Sequence, residues 1–409
     1  MARRTGPSRW PLVVLAVVFI GLGLLALFGR GGDGGDDAAE ETPAGTAVVT
    51  PTTIEGTPVE GDPEPIDPEH GDYAVTYRVE GFTAGGGAVV DVERRWVRAP
   101  YASRVETVPS GAKDADPTFV QVSDFGILQT GREDEAPVVL RTEPSVAPGD
   151  VRIDLDIDVA IDAGVLEWRR EERTILRRRC QVFRAGGPVD VATLTPPDTE
   201  AETWADLCIA DDGLLLQEEW VIDGEPFRRR TVVEVDDSPT LEDDLFVPLG
   251  EPADGPEGGS FAELTADSVP PDVAFYTLAA PPAGFRHRGR FGYSPPRAPL
   301  DVNQPEPSKV ALILDVYEDD DGGMLVVANG GTSDNSTIVE VGPDDVTVDL
   351  GAVGQGEVVL GLHQNEVRAG FDHGRFLRVY GTLSIDELAV ITRTLTVTTD
   401  PNGTVTAKS

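Results

Sequence analysis

Gly164 to Val235 limits what this chain can fold into more than any other stretch. It begins GVLEWRREERTILRRRCQVFRAGG and, after a polar break, continues TWADLCIADDGLLLQEEWVIDGEPFRRRTVVEV. Asp212-Gly213 and Asp223-Gly224 divide runs of strand-forming residues. Asp-Gly supplies the positive φ angles of a tight hairpin turn, so the pattern predicts an antiparallel meander of three strands. The same stretch holds both cysteines and three of the five tryptophans of the chain.

A length of 409 residues leaves room for about two ordinary domains. The formal charge is −39, which disfavours binding to nucleic acid or an anionic membrane surface. Nearly all the basic charge is arginine, since lysine occurs only at Lys113, Lys309 and Lys408. An acidic, lysine-poor surface suits high salt, and it is equally the composition of a high-GC coding sequence.

Pro11 to Phe28 reads PLVVLAVVFIGLGLLALF, 18 uncharged residues. As a helix it is about 27 Å long, enough to span a bilayer. Arg3, Arg4 and Arg9 precede it, and acids follow. The positive-inside rule then places residues 1–10 in the cytoplasm, a transmembrane anchor at 11–28 and the remainder outside the cell membrane. A cleaved signal peptide is the rival, but Ala26-Leu27-Phe28 is a poor cleavage site. Outside the cytoplasm Cys180 and Cys208 are expected to form a structural disulfide. Their spacing of 28 does not match a redox or metal motif such as C-x-x-C.

Residues 29–71 are rich in Gly, Asp, Glu, Pro and Thr and read as a disordered, acidic tether. The first domain is expected at 72–248. Alternation at Tyr73, Val75, Tyr77 and Val79 marks its first strand, and Val89–Val97 and Tyr101–Val108 follow. Thr118–Gln129 reads as one strand bent at Gly126, and Val138–Thr142 as a short one. Pro144–Ala163 fits either a strand or a short acidic helix. Residues 249–272 read as a linker, with a helical turn over Phe261–Ala266. The second domain, 273–398, carries expected strands at Val310–Tyr317, Met324–Ala328, Ile338–Val341, Val346–Leu350, Glu357–Leu362, Val367–Phe371 and Arg375–Tyr380. Ser384 and Glu387 form a capping box ahead of Leu388, Ile391 and Leu395 at helical spacing. Residues 399–409 form a polar tail. The fold class expected is mainly β (α+β): a large curved antiparallel sheet, then a small antiparallel α+β domain.

The catalytic motifs sought (G-x-S-x-G, H-E-x-x-H, a Walker loop, a dinucleotide fingerprint) are missing from the sequence. His70, His287, His363 and His373 are scattered, and no cofactor or metal is called for. Glu318 to Gly323 is an acidic turn without EF-hand spacing, which reads as a solvated hairpin loop. Arginine islands stand out in so acidic a chain: Arg177-Arg178-Arg179, Arg228-Arg229-Arg230, and Arg286, Arg288 and Arg290 around His287. The last two groups are candidates for docking an anionic partner; cross-strand pairing with Glu171, Glu172, Glu218, Glu219 and Glu234 is the alternative. Trp96, Trp168, Trp204 and Trp220, with Tyr73 and Tyr77, are candidates for lining a lipid-accepting concavity, or else are ordinary core.

Two motifs resemble a known family. Cys180-Gln181-Val182-Phe183-Arg184 followed by Asp211-Asp212-Gly213-Leu214-Leu215-Leu216 resembles the later strands of LolA-like domains. LAAPPAGFRHRGRFGY and YGTLSIDELAVITRTL resemble the opening and ending of the C-terminal domain of MucB/RseB-type sigma-factor regulatory proteins. The resemblance implies a curved half-barrel with an apolar concave face that takes a lipid or lipoprotein, and a second domain that docks a membrane regulatory partner. The leading expectation is a non-enzymatic, membrane-anchored extracytoplasmic lipid binder. The alternative is a signalling adaptor that docks a partner such as an anti-sigma factor without binding lipid.

Overall fold

The computed structural model describes residues 48–49, 54, 56–82, 88–111, 116–132, 136–145, 152–153, 155–186, 203–248, 250–251, 259–265, 275–294, 312–331, 347–360, 364–371 and 375–398. The expected anchor, the cytoplasmic N-terminus, the strand at Ile338–Val341 and the polar tail lie outside the described residues. No described helix is long and apolar enough to cross a membrane.

The strands up to the first helix are β1 (Val48–Val49), β2 (Thr57–Pro58), β3 (Tyr73–Phe82), β4 (Ala88–Arg98), β5 (Ala102–Pro109), β6 (Phe119–Asp124), β7 (Ile127–Arg132) and β8 (Val138–Arg141). Helix α1 (Ile157–Asp162) precedes β9 (Leu166–Ile175), β10 (Arg178–Gly186), β11 (Thr203–Ala210), β12 (Leu215–Ile222) and β13 (Glu225–Asp236). These strands form one antiparallel sheet in the order β2-β9-β10-β11-β12-β13-β3-β4-β5-β6-β7-β8, with β1 on β4. A second antiparallel sheet runs β14 (Ser260–Glu263), β16 (Arg286–Ser294), β17 (Leu312–Glu318), β18 (Met324–Gly331), β22 (Arg375–Gly381), β21 (Asn365–Phe371), β20 (Gln355–Leu360) and β19 (Thr347–Asp349). Strand β15 (Phe275–Thr277) pairs with β23 (Thr396–Thr398), next to helix α2 (Ile385–Arg393). The molecule is therefore mainly β and antiparallel, and neither large sheet closes on itself.

The Asp-Gly turns form as expected. Gly213 has φ 81°, and Asp223 and Gly224 have φ 52° and 83°. The expected three-strand meander is β11–β13, and the sheet extends it through β10 and β9. The β9–β10 hairpin turns on Leu176 and Arg177, at φ 50° and 67°. No glycine stands there, although left-handed backbone usually calls for one. Cys180 and Cys208 form the disulfide between β10 and β11, with Cα atoms 5.3 Å apart.

Four expectations change. Thr118–Gln129 is not one bent strand but the hairpin β6–β7, turning at Phe125-Gly126, where Gly126 has φ 73°. Pro144–Ala163 is partly both of its readings: Arg152 bridges to Leu214, and then α1 begins with Asp156 as N-cap, its carboxylate accepting the Val159 N–H at 3.2 Å. Phe261 lies in strand β14 of the second sheet, not in a helical turn. The tether, read as disordered, is docked over residues 56–71. There β2 pairs with β9, the Val59 N–H donates to Arg170 O, and the backbone N–H groups of Asp67 and Glu69 donate to the carbonyls of Asp211 and Asp212. An edge strand offers unpaired backbone groups, and Ile54 and Ile66 pack onto the two cores of the first sheet.

In the second domain the capping box is complete: Ser384 Oγ accepts the Glu387 N–H, and Glu387 Oε2 accepts the Ser384 N–H. It aims Ile385, Leu388 and Ala389 at one face of the second sheet, against Leu325, Val327, Leu377 and Val379. The other face, with Leu314, Val316, Met324 and Val326, packs against Tyr101 and Phe125 of the first domain.

Replacing Arg177 by Gly is expected to stabilise the chain by about 1 kcal/mol, because a left-handed non-glycine residue costs about that much. Urea unfolding of the full chain measures it; a lower midpoint in Arg177→Gly would contradict this account of the turn.

Candidate ligand-binding face

Directly opposed residues on neighbouring strands share a face of the sheet. One such row crosses six strands: Leu166, Ala185, Ala205, Trp220, Arg228 and Gly81. The next row is Trp168, Phe183, Leu207, Glu218, Arg230, Val79 and Asp91. The face is therefore apolar over β9–β12 and ionic from β12 to β4.

The apolar half is covered by a thin layer. Ile153, Leu155, Ile157 and Ala160, from α1 and the run leading into it, pack on Phe183, Ala185, Ala205, Leu207 and Trp220. Two contacts tie this cover to the second domain. The Asp156 N–H donates to Asn365 Oδ1 at 3.0 Å, and Leu360 packs against the same apolar cluster. Asn365 is itself held by donating from Nδ2 to Leu383 O at 2.9 Å.

The ionic half centres on Arg230, whose side chain is 0% exposed. Its guanidinium lies over the Tyr77 ring, 3.3 Å from Glu93 Oε1 and 2.9 Å from Glu218 Oε2. Glu218 also accepts the Trp220 indole N–H at 2.7 Å, and Arg95 Nε donates to Glu93 at 2.7 Å. Burial opposes ionisation of Glu93, but Arg95, Arg230 and Arg228 outweigh it and hold its pKa down to about 2. Burial pushes the Asp91 pKa up, with Arg228 only partly offsetting it.

The expected site residues divide accordingly. Trp168 and Trp220 lie on this face; Trp168 Nε1 is buried and has no acceptor among the described residues. Trp204 and Trp96 alternate with residues of this face and lie on the opposite one, where Arg184 stacks on Trp204 at 4.6 Å. The expectation that the four tryptophans share one concavity is thereby corrected: the period-two alternation of a strand separates them. Tyr73 and Tyr77 belong to the packed core, and the Tyr77 hydroxyl donates to Leu215 O at 2.8 Å.

The same alternation splits the Arg228–Arg230 triplet. Arg229 points to the other face, paired with Glu219 and near Glu80. Arg286 and Arg288 both pair with Glu318, and Arg288 also lies 3.9 Å from the Phe125 ring centroid. Arg290 grips Asp315 with Nε and a terminal nitrogen, at 2.7 and 3.0 Å. His287 Nε2 sits 3.4 Å from the same carboxylate, a pairing that sequence spacing did not show. Burial disfavours the charged Asp315, but hydrogen bonds from His287, Arg290 and Thr277 keep its pKa below the usual carboxylate value. Of the six arginines, Arg286 is the most open, with 64% of its side chain exposed. The Glu318–Gly323 stretch forms the β17–β18 hairpin loop, in which Asp319 Oδ1 accepts the N–H groups of Asp321 and Gly323. No group of three metal-binding side chains occurs among the described residues.

Asp91, Glu93, Arg95, Gly81 and Asn365 were not singled out from sequence. Each looks ordinary in its own strand and acquires a role only through partners distant in the chain.

No protein-family model matches the chain, and no curated protein does. Among solved structures it is similar to MucB in complex with MucA(peri), at 15% identity and TM-score 0.26, over 79% of this chain and 92% of that chain. MucB alone matches at 12% identity and TM-score 0.26, over 80% of this chain and 92% of that chain. A LolA superfamily protein from Nitrosomonas europaea matches at 10% identity and TM-score 0.23, over 45% of this chain and 93% of that chain. These are the two families that the sequence motifs resemble. At such TM-scores the likenesses carry no functional weight.

Glu93→Gln leaves Arg230 and Arg95 buried without their shared carboxylate and is expected to destabilise the chain by about 3–5 kcal/mol. Arg179→Ala, at an exposed pair, is expected to leave the urea midpoint unchanged. Because the folded Glu93 pKa lies below its unfolded value, its contribution is complete above about pH 4.5 and is lost as pH falls towards 2. Urea midpoints measured over that range check both variants; equal midpoints would contradict the ion-pair account.

Proposed function

We propose that this chain is a non-enzymatic, membrane-anchored extracytoplasmic protein. It binds a hydrophobic, lipid-type ligand on the apolar face floored by Leu166, Ala185, Ala205 and Trp220, and its second domain reads occupancy for a membrane regulatory partner. One observation carries the reading: among the described residues the main cover over this face is a six-residue helix with its lead-in, and that same segment is bonded to the second domain through Asp156 and Asn365.

The physical argument has three parts. A helix this short has little stability of its own and stays in place through its packing. Ala185 and Ala205 are small, so the floor between Leu166 and Trp220 forms a shallow trough once Ile157 and Ala160 are lifted. An acyl chain then replaces their contacts at about 0.8 kcal/mol per buried methylene, so several methylenes offset the displaced cover. Lifting the cover also strains or breaks the Asp156–Asn365 hydrogen bond and unpacks Leu360, which is how ligand binding reaches the second sheet. The buried disulfide between β10 and β11 suits an oxidising compartment, and the apolar run Pro11–Phe28 supplies the anchor.

Solvent extraction of the purified full chain, followed by mass spectrometry, tests binding. The wild type is expected to carry acyl lipid in near-stoichiometric amount. Ala205→Leu, which fills the trough, is expected to retain the fold and the disulfide while losing at least about tenfold of the lipid. Asn365→Ala is expected to keep the lipid but to speed amide exchange at residues 156–160. A lipid-free wild type, or a full complement in Ala205→Leu, would overturn the reading.

A further inference from the structure

The row that floors the apolar trough does not end in apolar residues. Beyond Trp220 it continues to Arg228 and then to Gly81, on the same face and in direct register. Arg228 differs from its neighbours in how it is satisfied. Arg230 contacts two carboxylates, and Arg95 is hydrogen-bonded to Glu93. What sets it apart is its one ion pair among the described residues, with Glu93 Oε2 at 3.7 Å, beyond hydrogen-bond reach; its Nε is buried without an acceptor, as is that of Arg230. Its side chain keeps 20% exposure, so it is sheltered but reachable.

Gly81 supplies the space. It lies inside strand β3, where glycine weakens the sheet and often marks a close approach by another group. A Cβ placed there would meet nothing within 4 Å among the described residues. Among the described residues, open space thus lies beside an arginine whose Nε lacks an acceptor, three strand spacings, about 14 Å, along the row from Ala205.

The charges set the ligand's valence. Arg95, Arg228 and Arg230 face Glu93, Glu218 and Asp91 on this side of the sheet. Glu93 and Glu218 are taken up by Arg95 and Arg230. That leaves Arg228 opposite Asp91, whose pKa burial raises above the usual carboxylate value, with Arg228 partly offsetting it. The three arginines and three carboxylates balance in number, but among the described residues the ion pair of Arg228, with Glu93 at 3.7 Å, lies beyond hydrogen-bond reach. A dianion would face Glu93 and Asp91 with no further cation to balance it.

We propose that Arg228 and the open space at Gly81 form a headgroup subsite for one negative charge, so that the ligand is a monoanionic amphiphile, its acyl chain in the trough and its carboxylate or phosphodiester on Arg228. This rests on the function proposed above and adds the chemical class of the ligand. Trp220 stands at the junction, with its indole held by Glu218 and its ring between chain and headgroup. Arg229 and Arg286 are excluded from this role by position, one on the opposite face and the other in the second domain.

The test compares three ligands sharing one oleoyl chain, titrated into the delipidated full chain and followed by tryptophan fluorescence. They are oleate, oleoyl lysophosphatidylglycerol and the neutral monooleoylglycerol. At least one of the anions is expected to bind about tenfold more tightly than the neutral ester, or better, and the stronger of the two identifies the headgroup as carboxylate or phosphodiester. Arg228→Gln is expected to abolish that preference while leaving the neutral ester within about twofold, and Arg286→Gln to change neither. Gly81→Val, which fills the vacancy and keeps the charge, is expected to weaken the anions selectively. Equal affinity for all three in the wild type, or a preference that survives Arg228→Gln, would overturn the subsite and leave lipid binding intact. Failure of all three to bind would overturn the proposed function itself.

Discussion

The buried junction of Arg230 with Glu93 and Glu218 holds the first domain in its present form. It joins β12, β13 and β4 across the intervening strand β3, beneath a face that is otherwise apolar. Buried ions are costly unless paired and hydrogen-bonded. Here Arg230 meets two carboxylates and a tyrosine ring, Glu93 meets Arg95 as well, and Glu218 takes the Trp220 indole. The junction fixes the register of β13 against both neighbours. It also ends the apolar half of the face, because a chain of methylenes gains nothing beyond it. The division of this face into a trough and a polar end follows from where these charges lie.

Coupling between the domains depends on a different kind of contact. The tips of two neighbouring hairpins of the first sheet carry Tyr101 and Phe125 into the apolar face of the second. Phe125 packs edge-on against Tyr101, Phe261 and Phe291, with centroids 4.8–5.2 Å apart, and Arg288 caps it. Arg378 pairs with Glu143 at 3.0 Å, and the Tyr380 hydroxyl donates to Pro144 O at 2.9 Å, fastening the same side. This contact is broad and aromatic. The contact through Asp156 and Asn365 is by comparison slight, a hydrogen bond and the packing of Leu360 among the described residues. The second domain is thus held firmly at one place and lightly at the place where a ligand would push.

Local signals in the sequence were reliable where the cause was local. The Asp-Gly turns, the alternation of β3 and the Ser384–Glu387 capping box each depend on residues a few positions apart, and all appear in the structure. The β9–β10 turn has no signal in its own residues, because Leu176 and Arg177 occupy left-handed backbone that glycine or asparagine normally marks. The docked strap at 56–71 was missed because its composition is that of a tether, and its order comes from an edge strand far along the chain. The tryptophans were grouped by type, whereas the strand period and the bulges of β10 and β12 assign them to faces. Half of the junction was legible, since cross-strand pairing of the arginine triplet with Glu218 and Glu219 was one of its two expected readings and both pairs form; the other half was not, because Arg230 and Glu93 are 137 positions apart.

The proposed function puts a ligand's acyl chain on the face carrying Trp168 and Trp220, not on the face carrying Trp96 and Trp204. Variants of the full chain that retain a single tryptophan, titrated with fatty acid brominated along its chain, test it most directly, since bromine quenches only indoles it touches. Strong quenching of Trp168 and Trp220 with Trp96 and Trp204 unaffected is the result this account requires; quenching of Trp96 or Trp204 alone, or of none of the four, would contradict it.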